Sequence, residues 1–287
     1  MRVLLTGGRG LLGTPLTAHL RASGAEVHCA HRGDLDVTDA AAVAAAVREF
    51  RPQHVVHLAA WTDVDGCEGH PGRAMRVNGE AAGTVAAACA SGGAQILFVS
   101  TDYVFAGDGE RPHDEDDPTV PLSVYGRSKL DGERRVRASG TPHRIVRCQS
   151  IYGRGRKSFA DAILARARAG EPLRVVTDQV VCPSYAPDLA GALVAVLERA
   201  PPGTYHAAND GWCSWYEFAR AVLDESGLAD VTIEPITADA LGRPAPRPAN
   251  SRFDCARLAA ATGVRLRPWR DALRAYLAAR DDAGDRP

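Results

Sequence analysis

The sequence predicts an α/β protein, with a Rossmann-like doubly wound parallel sheet and a smaller C-terminal mixed α/β lobe. Three observations carry this prediction: unbroken apolar runs in the first half, helical segments between them, and a glycine-rich turn after the first run. Unbroken apolar runs are typical of strands that are buried on both faces. Strands that alternate with helices predict a parallel sheet, because parallel neighbours need a crossover connection.

The elements follow in a regular order along the chain. The predicted strands are short and rich in β-branched residues, and they lie at 2–6, 25–30, 54–59, 95–100 and 143–148. Helices are predicted at 11–22, at 39–50 with Thr38 as the N-cap, over the Ala-rich stretch 73–91, and then at 158–169, 187–200 and 214–226. We predict a Rossmann-like domain at 1–149 and a second lobe at 150–287, with some segments of the lobe packing on the first domain.

The composition excludes several classes of protein. Of 287 residues, 45% are hydrophobic and 24% are charged, which excludes the disordered and fibrous classes. The formal net charge is −1, so there is no basic excess for nucleic acid or an anionic membrane. The N-terminus has no signal-peptide pattern, and no window approaches about 18 uninterrupted apolar residues. Seven scattered cysteines without zinc spacing predict free thiols in the cytoplasm and no metal site.

A glycine-rich turn joins the first strand to the first helix. TGGRGLLG, residues 6–13, places Gly7, Gly10 and Gly13 in a GxxGxxG spacing, with Leu11 and Leu12 between them. Glycine lets the backbone approach a pyrophosphate, and the following helix offers unpaired N–H groups and the positive end of its dipole. The position directly after the first strand favours a nucleotide site over a tight turn without a ligand.

The end of the second strand predicts which dinucleotide is bound. NAD-binding chains usually place an acid about twenty residues after the glycine turn, where it bonds the ribose 2′-hydroxyl. This chain has His31 and Arg32 there, and a cation favours a 2′-phosphate. NADPH is therefore predicted over NADH, with a solvated loop as the alternative. Asp36 and Val37 follow at a place where an adenine can be held.

Tyr125 and Lys129 form the candidate catalytic pair. Only two of the 34 basic residues are lysines, so Lys129 is an unusual choice for this chain. On a helix, the i,i+4 spacing places both side chains on one face. A phenol has a reference pKa of about 10, and a nearby ammonium stabilises its phenolate. Lysine suits this role because it is a compact charge on a flexible stem. The alternative is a surface lysine near a half-buried tyrosine.

The third member of the site is predicted at the end of the fourth strand. Ser100 and Thr101 lie there, at the C-terminal sheet edge where the sites of open α/β folds form. A hydroxyl, a phenol and an ammonium around one carbonyl form a hydride-transfer site. In such a site a nicotinamide carries the hydride and the protein returns the proton.

With these features the chain resembles the dTDP-4-dehydrorhamnose reductase family of the extended short-chain dehydrogenase/reductase superfamily. The resemblance runs nearly end to end, and STDYVF together with YGRSKLDGE is its most specific part. The matching segments are the glycine turn, AAWTDVD (59–65), VNGEA (77–81), STDYVFAGDGERP (100–112), PLSVYGRSKLDGE (121–133), TDQVVCPSYAPDLA (177–190), GTYHAANDG (203–211) and RPANSRFD (247–254).

The resemblance implies roles for individual residues. Thr101, Tyr125 and Lys129 correspond to the catalytic triad of the family. Tyr125 would donate the proton to the sugar C4 oxygen as NAD(P)H delivers the hydride, Thr101 would hydrogen-bond that oxygen, and Lys129 would also hold the nicotinamide ribose. The other implied cofactor positions are Ala59, Ala60, Thr62 and Ser100, and the substrate positions are Trp61, Asp102, Tyr103, Ser150 and Arg247, the last for the diphosphate.

The departures from the family pattern lie on the substrate side. After the fifth strand the family usually reads Arg-Thr-Ser-Trp, and this chain has Ser150 at the aromatic position, which leaves room for a different or larger group. Trp61 stands where Tyr or His is commoner. The basic segment 153–158 is a candidate for a diphosphate contact or is a solvated loop. The reaction type is therefore better determined than the substrate.

Several functions fit this pattern. The leading prediction is reduction of the 4-keto group of a nucleotide-activated 6-deoxyhexose, by default dTDP-4-dehydro-L-rhamnose to dTDP-L-rhamnose. The alternatives are a reductase of another nucleotide 4-keto-deoxysugar, an NAD-retaining epimerase or dehydratase, and a regulatory subunit of the same fold. The His31–Arg32 pair and RPANS disfavour the epimerase or dehydratase, and the intact triad disfavours the subunit. The family includes magnesium-dependent dimers, so Mg²⁺ and the choice between monomer and homodimer stay open.

Overall fold

The computed structural model describes residues 1–155 and 158–282. Its strands are β1 (Arg2–Thr6), β2 (Glu26–Ala30), β3 (His54–His57), β4 (Gln95–Thr101), β5 (His143–Cys148), β6 (Ile151–Tyr152), β7 (Leu173–Val176), β8 (Val180–Val181), β9 (Ser184–Tyr185), β10 (Gly203–Ala207), β11 (Cys213–Ser214) and β12 (Ile233–Ile236). Its α-helices are α1 (Gly13–Ala22), α2 (Ala40–Phe50), α3 (Val64–Gly69), α4 (Pro71–Ala74), α5 (Ala81–Gly92), α6 (Val124–Ala138), α7 (Phe159–Arg168), α8 (Ala186–Arg199), α9 (Trp215–Asp224), α10 (Ala256–Thr262) and α11 (Trp269–Asp282).

The main sheet has six parallel strands in the order β10-β5-β4-β3-β1-β2. The chain runs from β1 to β2 on one side and then returns to β3 on the other side of β1. This reversal is the doubly wound arrangement, and it opens a crevice at the carboxyl ends of the strands. The predicted fold class is confirmed, and the five strands predicted in the first half are all present.

Helices cover both faces of this sheet. On one face α1 and α8 bury Leu16, Leu20 and Leu193 against apolar strand residues. On the other face α2 and α5 bury Val43 and Val85 in the same way. Removing aliphatic surface from water contributes about 25 cal/mol per Å², so these two layers hold the sheet rigid beneath the crevice.

Residues after 150 contribute to the sheet and also form a smaller lobe. β10 lies at the sheet edge beside β5, and α8 packs on α1. The lobe contains the parallel pair of β7 and β12 and an aromatic core that includes Tyr152, Phe218 and Tyr276. The functional division between 1–149 and 150–287 stays a prediction.

The N-cap of α2 is Asp39, and the prediction of Thr38 is wrong. The Asp39 carboxylate accepts hydrogen bonds from the backbone N–H groups of Ala41 and Ala42. Asp and Thr both cap helices, and the extended backbone of Asp39 is the one that places a side-chain oxygen over the first turn.

The Ala-rich segment is also less regular than predicted. Met75–Glu80 forms a π-helical turn between α4 and α5, and such turns are frequent at functional sites. The turn carries Asn78, whose side chain accepts from the Trp61 N–H at 2.7 Å and donates to the Trp61 carbonyl at 3.0 Å. The irregular turn therefore holds the loop after β3 in place.

Candidate active site

A cavity of about 1050 Å³ opens at the carboxyl ends of β1, β3, β4 and β5. It brings together residues that are far apart in the sequence. Among the predicted site residues, its lining includes Gly7, Gly10, Leu11, Leu12, Gly13, His31, Arg32, Asp36, Val37, Ala59, Ala60, Trp61, Thr62, Ser100, Thr101, Asp102, Tyr103, Tyr125, Lys129 and Ser150. Arg247 alone of the predicted set lies outside the lining.

The glycine turn forms one end of the cavity as a tightly closed backbone loop. Gly7 has φ +75°, and a Cβ there would lie 2.8 Å from the backbone nitrogen of Ala59. A Cβ on Gly13 would lie 2.4 Å from the Gly7 carbonyl oxygen, and Gly10 donates its N–H to that same oxygen at 2.9 Å. Side chains at Gly7 and Gly13 would displace the backbone that faces the cavity. The turn therefore fits a diphosphate at the N-terminus of α1.

Charged residues surround the cavity near the end of β2. The His31 ring nitrogen lies 2.8 Å from the Asp34 carboxylate, so His31 is occupied by its own loop. Hydrogen bonds from the Thr38 backbone and hydroxyl lower the pKa of Asp36, and Arg32 and Arg76 lower it further. Arg32 has no ion-pair partner within residues 1–155 and 158–282. The loop therefore leaves Arg32 available to an anion.

Two further arginines line the same part of the cavity. Arg9 lies inside the glycine turn, and the motif GGRG made its position there predictable from the sequence. Arg76 comes from the π-helical turn, and no local sequence signal relates that turn to the end of β2. Both residues add positive charge where a phosphorylated ligand would lie.

Helix α6 carries the candidate catalytic pair, and both side chains face the cavity. Ser123 begins this helix, and its hydroxyl accepts a hydrogen bond from the Gly126 N–H. Tyr125 and Lys129 follow one turn apart, and both line the cavity while being almost completely buried. The Tyr125 ring packs edge-on against Tyr103, with ring centroids 5.5 Å apart. The spacing seen in the sequence therefore places both groups on one face.

The Lys129 ammonium is held beneath the cavity floor. It donates to the Val99 carbonyl at 2.7 Å and lies 4.1 Å from the centre of the Phe98 ring. Burial lowers the pKa of Lys129 to about 7, while Glu133 and Cys148 act in the opposite direction. The amine is therefore shielded from solvent, and its hydrogen bond to β4 fixes its position.

The Tyr125 phenol is held in its protonated form. Burial raises its pKa, the Asp102 carboxylate raises it further, and the nearby Thr101 hydroxyl opposes both effects. From the spacing in the sequence, Lys129 is predicted to lower this pKa. With Lys129 bound to the Val99 carbonyl, burial and Asp102 determine the direction instead. A protonated Tyr125 has a proton to donate, as reduction of a carbonyl requires.

Thr101 and Asp102 form a buried hydrogen-bonded unit with Ser251. The Thr101 hydroxyl donates to Asp102 Oδ1 at 3.0 Å, and the Ser251 hydroxyl donates to Asp102 Oδ2 at 2.6 Å. All three residues are at most 5% exposed. Burial raises the pKa of Asp102 to about 6, although the hydrogen bonds from Ser251 and Thr101 lower it. The role of Ser251 went unnoticed in the sequence because 149 positions separate it from Asp102.

Trp61 and Ser150, two predicted substrate positions, also line the cavity. The Arg73 guanidinium lies 4.3 Å from the centre of the Trp61 ring, so this side chain is braced by a cation–π contact. Ser150 has φ +47°, which is uncommon for a residue with a Cβ. The Ser184 N–H donates to its carbonyl at 3.1 Å and stabilises this conformation.

Arg247 forms a two-pronged ion pair with Asp65. Its two guanidinium nitrogens contact the Asp65 carboxylate oxygens at 2.8 and 3.1 Å. The Ala245 N–H also donates to Asp65, which connects the loop before RPANS to the first turn of α3. In this structure Arg247 therefore faces a carboxylate, and its contact with a diphosphate stays a prediction.

Neither a metal site nor the basic segment is defined by the structure. In the described ranges, His, Cys, Asp and Glu form no group of three suited to a metal ion. In the acidic segment DEDD (114–117), Asp117 pairs with Arg111 and Asp116 pairs with Arg257. Within the predicted basic segment 153–158, residues 156 and 157 lie outside the described residues.

The geometry indicates a class of enzyme. One end of the cavity fits a dinucleotide diphosphate, and the other places a protonated phenol beside a threonine hydroxyl. A carbonyl that is protonated on oxygen needs a hydride on carbon, which a nicotinamide supplies. The fold and the site together define a nicotinamide-dependent oxidoreductase of the short-chain dehydrogenase/reductase class.

Comparisons with known proteins narrow this class. Residues 1–281 match the family described as RmlD substrate binding domain. The chain is 43% identical over 278 residues to a dTDP-4-dehydrorhamnose reductase of Streptomyces griseus, covering 95% of this chain and 91% of the relative. It is 40% identical over 284 residues to the spore coat polysaccharide biosynthesis protein SpsK of Bacillus subtilis (strain 168), covering 99% of each.

A solved structure agrees with these relatives. A dTDP-4-dehydrorhamnose reductase of Bacillus anthracis str. Ames, in complex with NADP, superposes with a TM-score of 0.93 at 32% identity. The match covers 97% of this chain and 99% of that one. The chain belongs to the dTDP-4-dehydrorhamnose reductase family.

Proposed function

We propose that the protein is an NADPH-dependent ketoreductase that reduces the 4-keto group of a nucleotide-activated 6-deoxyhexose, with dTDP-4-dehydro-L-rhamnose as the default substrate. One observation carries the proposal: Thr101, Tyr125 and Lys129 line the same cavity as the glycine turn. A regulatory subunit of this fold would have no need for a buried, protonated phenol beside a dinucleotide cradle.

Different residues of the cavity would bind different parts of the dinucleotide. The close backbone at Gly7 and Gly13 would hold the diphosphate, and Lys129 would hold the nicotinamide ribose. When bound, the reduced nicotinamide supplies the hydride for the carbonyl carbon. The cation Arg32, together with Arg9 and Arg76, favours a ligand with a 2′-phosphate over one with a 2′-hydroxyl. These arginines support NADPH as the preferred cofactor.

Residues of α6 and of the end of β4 would carry out the proton transfer. Tyr125 is protonated at neutral pH, since its pKa lies above the ordinary value of a phenol, and it would donate its proton to the substrate oxygen. Thr101 lies beside it and offers a hydroxyl to the same oxygen. A positioned acid of this kind contributes about 10²–10⁴-fold to the rate.

The identity of the sugar rests on the relatives, and one observation favours a second candidate. Reductases named for dTDP-4-dehydrorhamnose support the default substrate. Ser150 provides little surface for a sugar to stack on, which favours a substrate with a different or larger group. A reductase of another nucleotide 4-keto-deoxysugar is therefore the second candidate.

The proposal also covers the cellular location and the oligomeric state of the enzyme. In the part of the chain that the structure describes, every helix is too short or too polar to cross a membrane. The seven cysteines are free thiols, which fits a reducing cytoplasm. We place the enzyme there as a monomer or a homodimer.

Oxidation of NADPH by purified protein with dTDP-4-dehydro-L-rhamnose tests the proposal, with the product identified by NMR. The expected result is stoichiometric formation of dTDP-L-rhamnose. Binding of NADPH without oxidation would transfer the proposal to the second candidate, to be tested with other dTDP-4-keto-sugars. Failure to bind NADPH and to oxidise it with any of these sugars would contradict the proposed function.

A further inference from the structure

The hydrogen bonds of Thr101 reveal a conflict. Its hydroxyl has one hydrogen, and that hydrogen points to Asp102 Oδ1 at 3.0 Å. Its oxygen also accepts the Tyr103 N–H at 3.3 Å. An ionised carboxylate only accepts hydrogen bonds, so an ionised Asp102 claims the Thr101 hydrogen. That hydrogen is then unavailable to a substrate carbonyl oxygen.

We infer that Asp102 is a positioning residue that sets the direction of the Thr101 hydroxyl. As a neutral acid, Asp102 donates to the Thr101 oxygen and leaves the Thr101 hydrogen for the substrate. As a carboxylate, Asp102 takes that hydrogen, and Thr101 can no longer donate to the substrate oxygen. This inference rests on the proposed ketoreductase function.

The hydrogen-bond count is satisfied in the neutral state. Thr101 then accepts from the Tyr103 N–H and from the Asp102 acid, which uses both lone pairs of its oxygen. Ser251 donates to the other Asp102 oxygen at 2.6 Å, so the carboxyl group keeps its orientation in both states. Thr101, Asp102 and Ser251 are buried, so an unsatisfied hydrogen-bonding group among them would be costly.

The surroundings of Asp102 allow both states. Its titratable neighbours are Tyr103 on its own turn, Tyr125 on α6, His113 just before the acidic segment 114–117, Cys148 on β5 and Cys182 after β8. His113 is the basic group among them, and it affects the pKa of Asp102 less than burial and the hydrogen bonds do. A carboxyl without a close cation, with its pKa raised to about 6, changes its protonation state near neutral pH.

The pH dependence of kcat/KM separates this role from a structural one. In the wild type, kcat/KM for reduction should be highest below about pH 6 and fall by up to about tenfold per pH unit above it, until the activity of the ionised form is reached. Asp102→Asn places an amide donor beside Thr101 at every pH, so the decline that begins near pH 6 should be absent from its profile, which should keep only the dependence on Lys129, whose pKa is about 7. Ser251→Ala removes a hydrogen bond that lowers the pKa, so its decline should begin at higher pH.

A second measurement needs no substrate. A ¹³C NMR titration of the carboxyl groups should show one signal that titrates near pH 6 in the wild type, is absent from Asp102→Asn, and moves to higher pH in Ser251→Ala. The inference is overturned if no such signal exists, or if Asp102→Asn keeps the decline of the wild type. A wild type that reduces no keto-sugar would contradict the proposed function, and the titration would still decide whether Asp102 changes charge near pH 6.

Discussion

The Lys129 ammonium donates a 2.7 Å hydrogen bond to the carbonyl oxygen of Val99. The donor comes from α6 and the acceptor from β4, so this bond fixes the catalytic helix relative to the sheet edge. Lys129 is 3% exposed, and one carbonyl and the face of Phe98 replace little of the hydration that an ammonium has in water. The protein therefore holds this cation at a cost in stability.

Replacing this lysine should stabilise the cofactor-free protein while it disables the enzyme. Lys129→Met removes a buried charge but keeps most of the side-chain volume. We expect the free energy of unfolding at pH 7 to rise by roughly 1–3 kcal/mol and turnover to be lost. Thermal and urea unfolding measure the first effect. Arg134→Met, an exposed position on the same helix, is the matched control and should change little.

The gain in unfolding free energy from Lys129→Met should depend on pH. The pKa of Lys129 is about 7 in the folded protein and 10.5 as the unperturbed value. Between these values the unfolded chain holds a proton that the folded protein has lost, so wild-type stability rises with pH. The advantage of Lys129→Met should therefore shrink from pH 7 to pH 10. An advantage that stays constant over this range would show that Lys129 is not buried as a cation.

Arg32 is expected to select the phosphorylated cofactor. Arg32→Asp removes a charge-assisted hydrogen bond to a 2′-phosphate, so Kd for NADPH should rise about 10- to 100-fold while Kd for NADH changes little. Isothermal calorimetry with each cofactor measures both constants. Arg48→Asp makes the same charge change at an exposed position of α2 outside the cavity. An equal loss in both variants would indicate a general field effect and remove the specific role of Arg32.

The ion pair of Asp65 with Arg247 tests the predicted diphosphate contact. If Arg247 binds the diphosphate, Asp65 competes with the ligand for the guanidinium. Asp65→Asn should then tighten binding of dTDP by roughly threefold to tenfold, and Arg247→Gln should weaken it by a similar factor. Titration calorimetry with dTDP measures both, with Arg174→Gln on the surface of β7 as a control. Unchanged binding of dTDP in both variants would contradict the diphosphate contact and leave Arg247 with only its ion pair to Asp65.

Local features of this site were predictable from the sequence. The glycine spacing is set by close approaches within one turn, and the Tyr125–Lys129 spacing is set by one helical turn, so both are encoded by neighbouring residues. Thr101 was predictable because the carboxyl end of a parallel strand has a known place at the crevice. These constraints act between residues that are close in the sequence. The fold class likewise follows from the local pattern of apolar runs and helical segments.

The missed features depend on contacts between distant segments. Ser251 reaches Asp102 across 149 positions, and Arg247 reaches Asp65 across 182. Lys129 bonds a carbonyl of β4, which the chain can place only after the sheet has formed. Spacing on a single helix could not reveal that this bond turns the ammonium toward Val99. The Thr38 N-cap prediction failed for a smaller reason, because two adjacent residues both had capping side chains.

Proton donation by Tyr125 is the central claim, and Tyr125→Phe tests it most directly. The variant keeps the ring that packs against Tyr103 and removes only the hydroxyl. The measurement is kcat for NADPH oxidation with dTDP-4-dehydro-L-rhamnose, made beside the NADPH dissociation constant of the same preparation. We predict that kcat falls by about 10²–10⁴-fold while NADPH binding stays within about twofold of the wild type. Wild-type turnover in Tyr125→Phe would contradict the account.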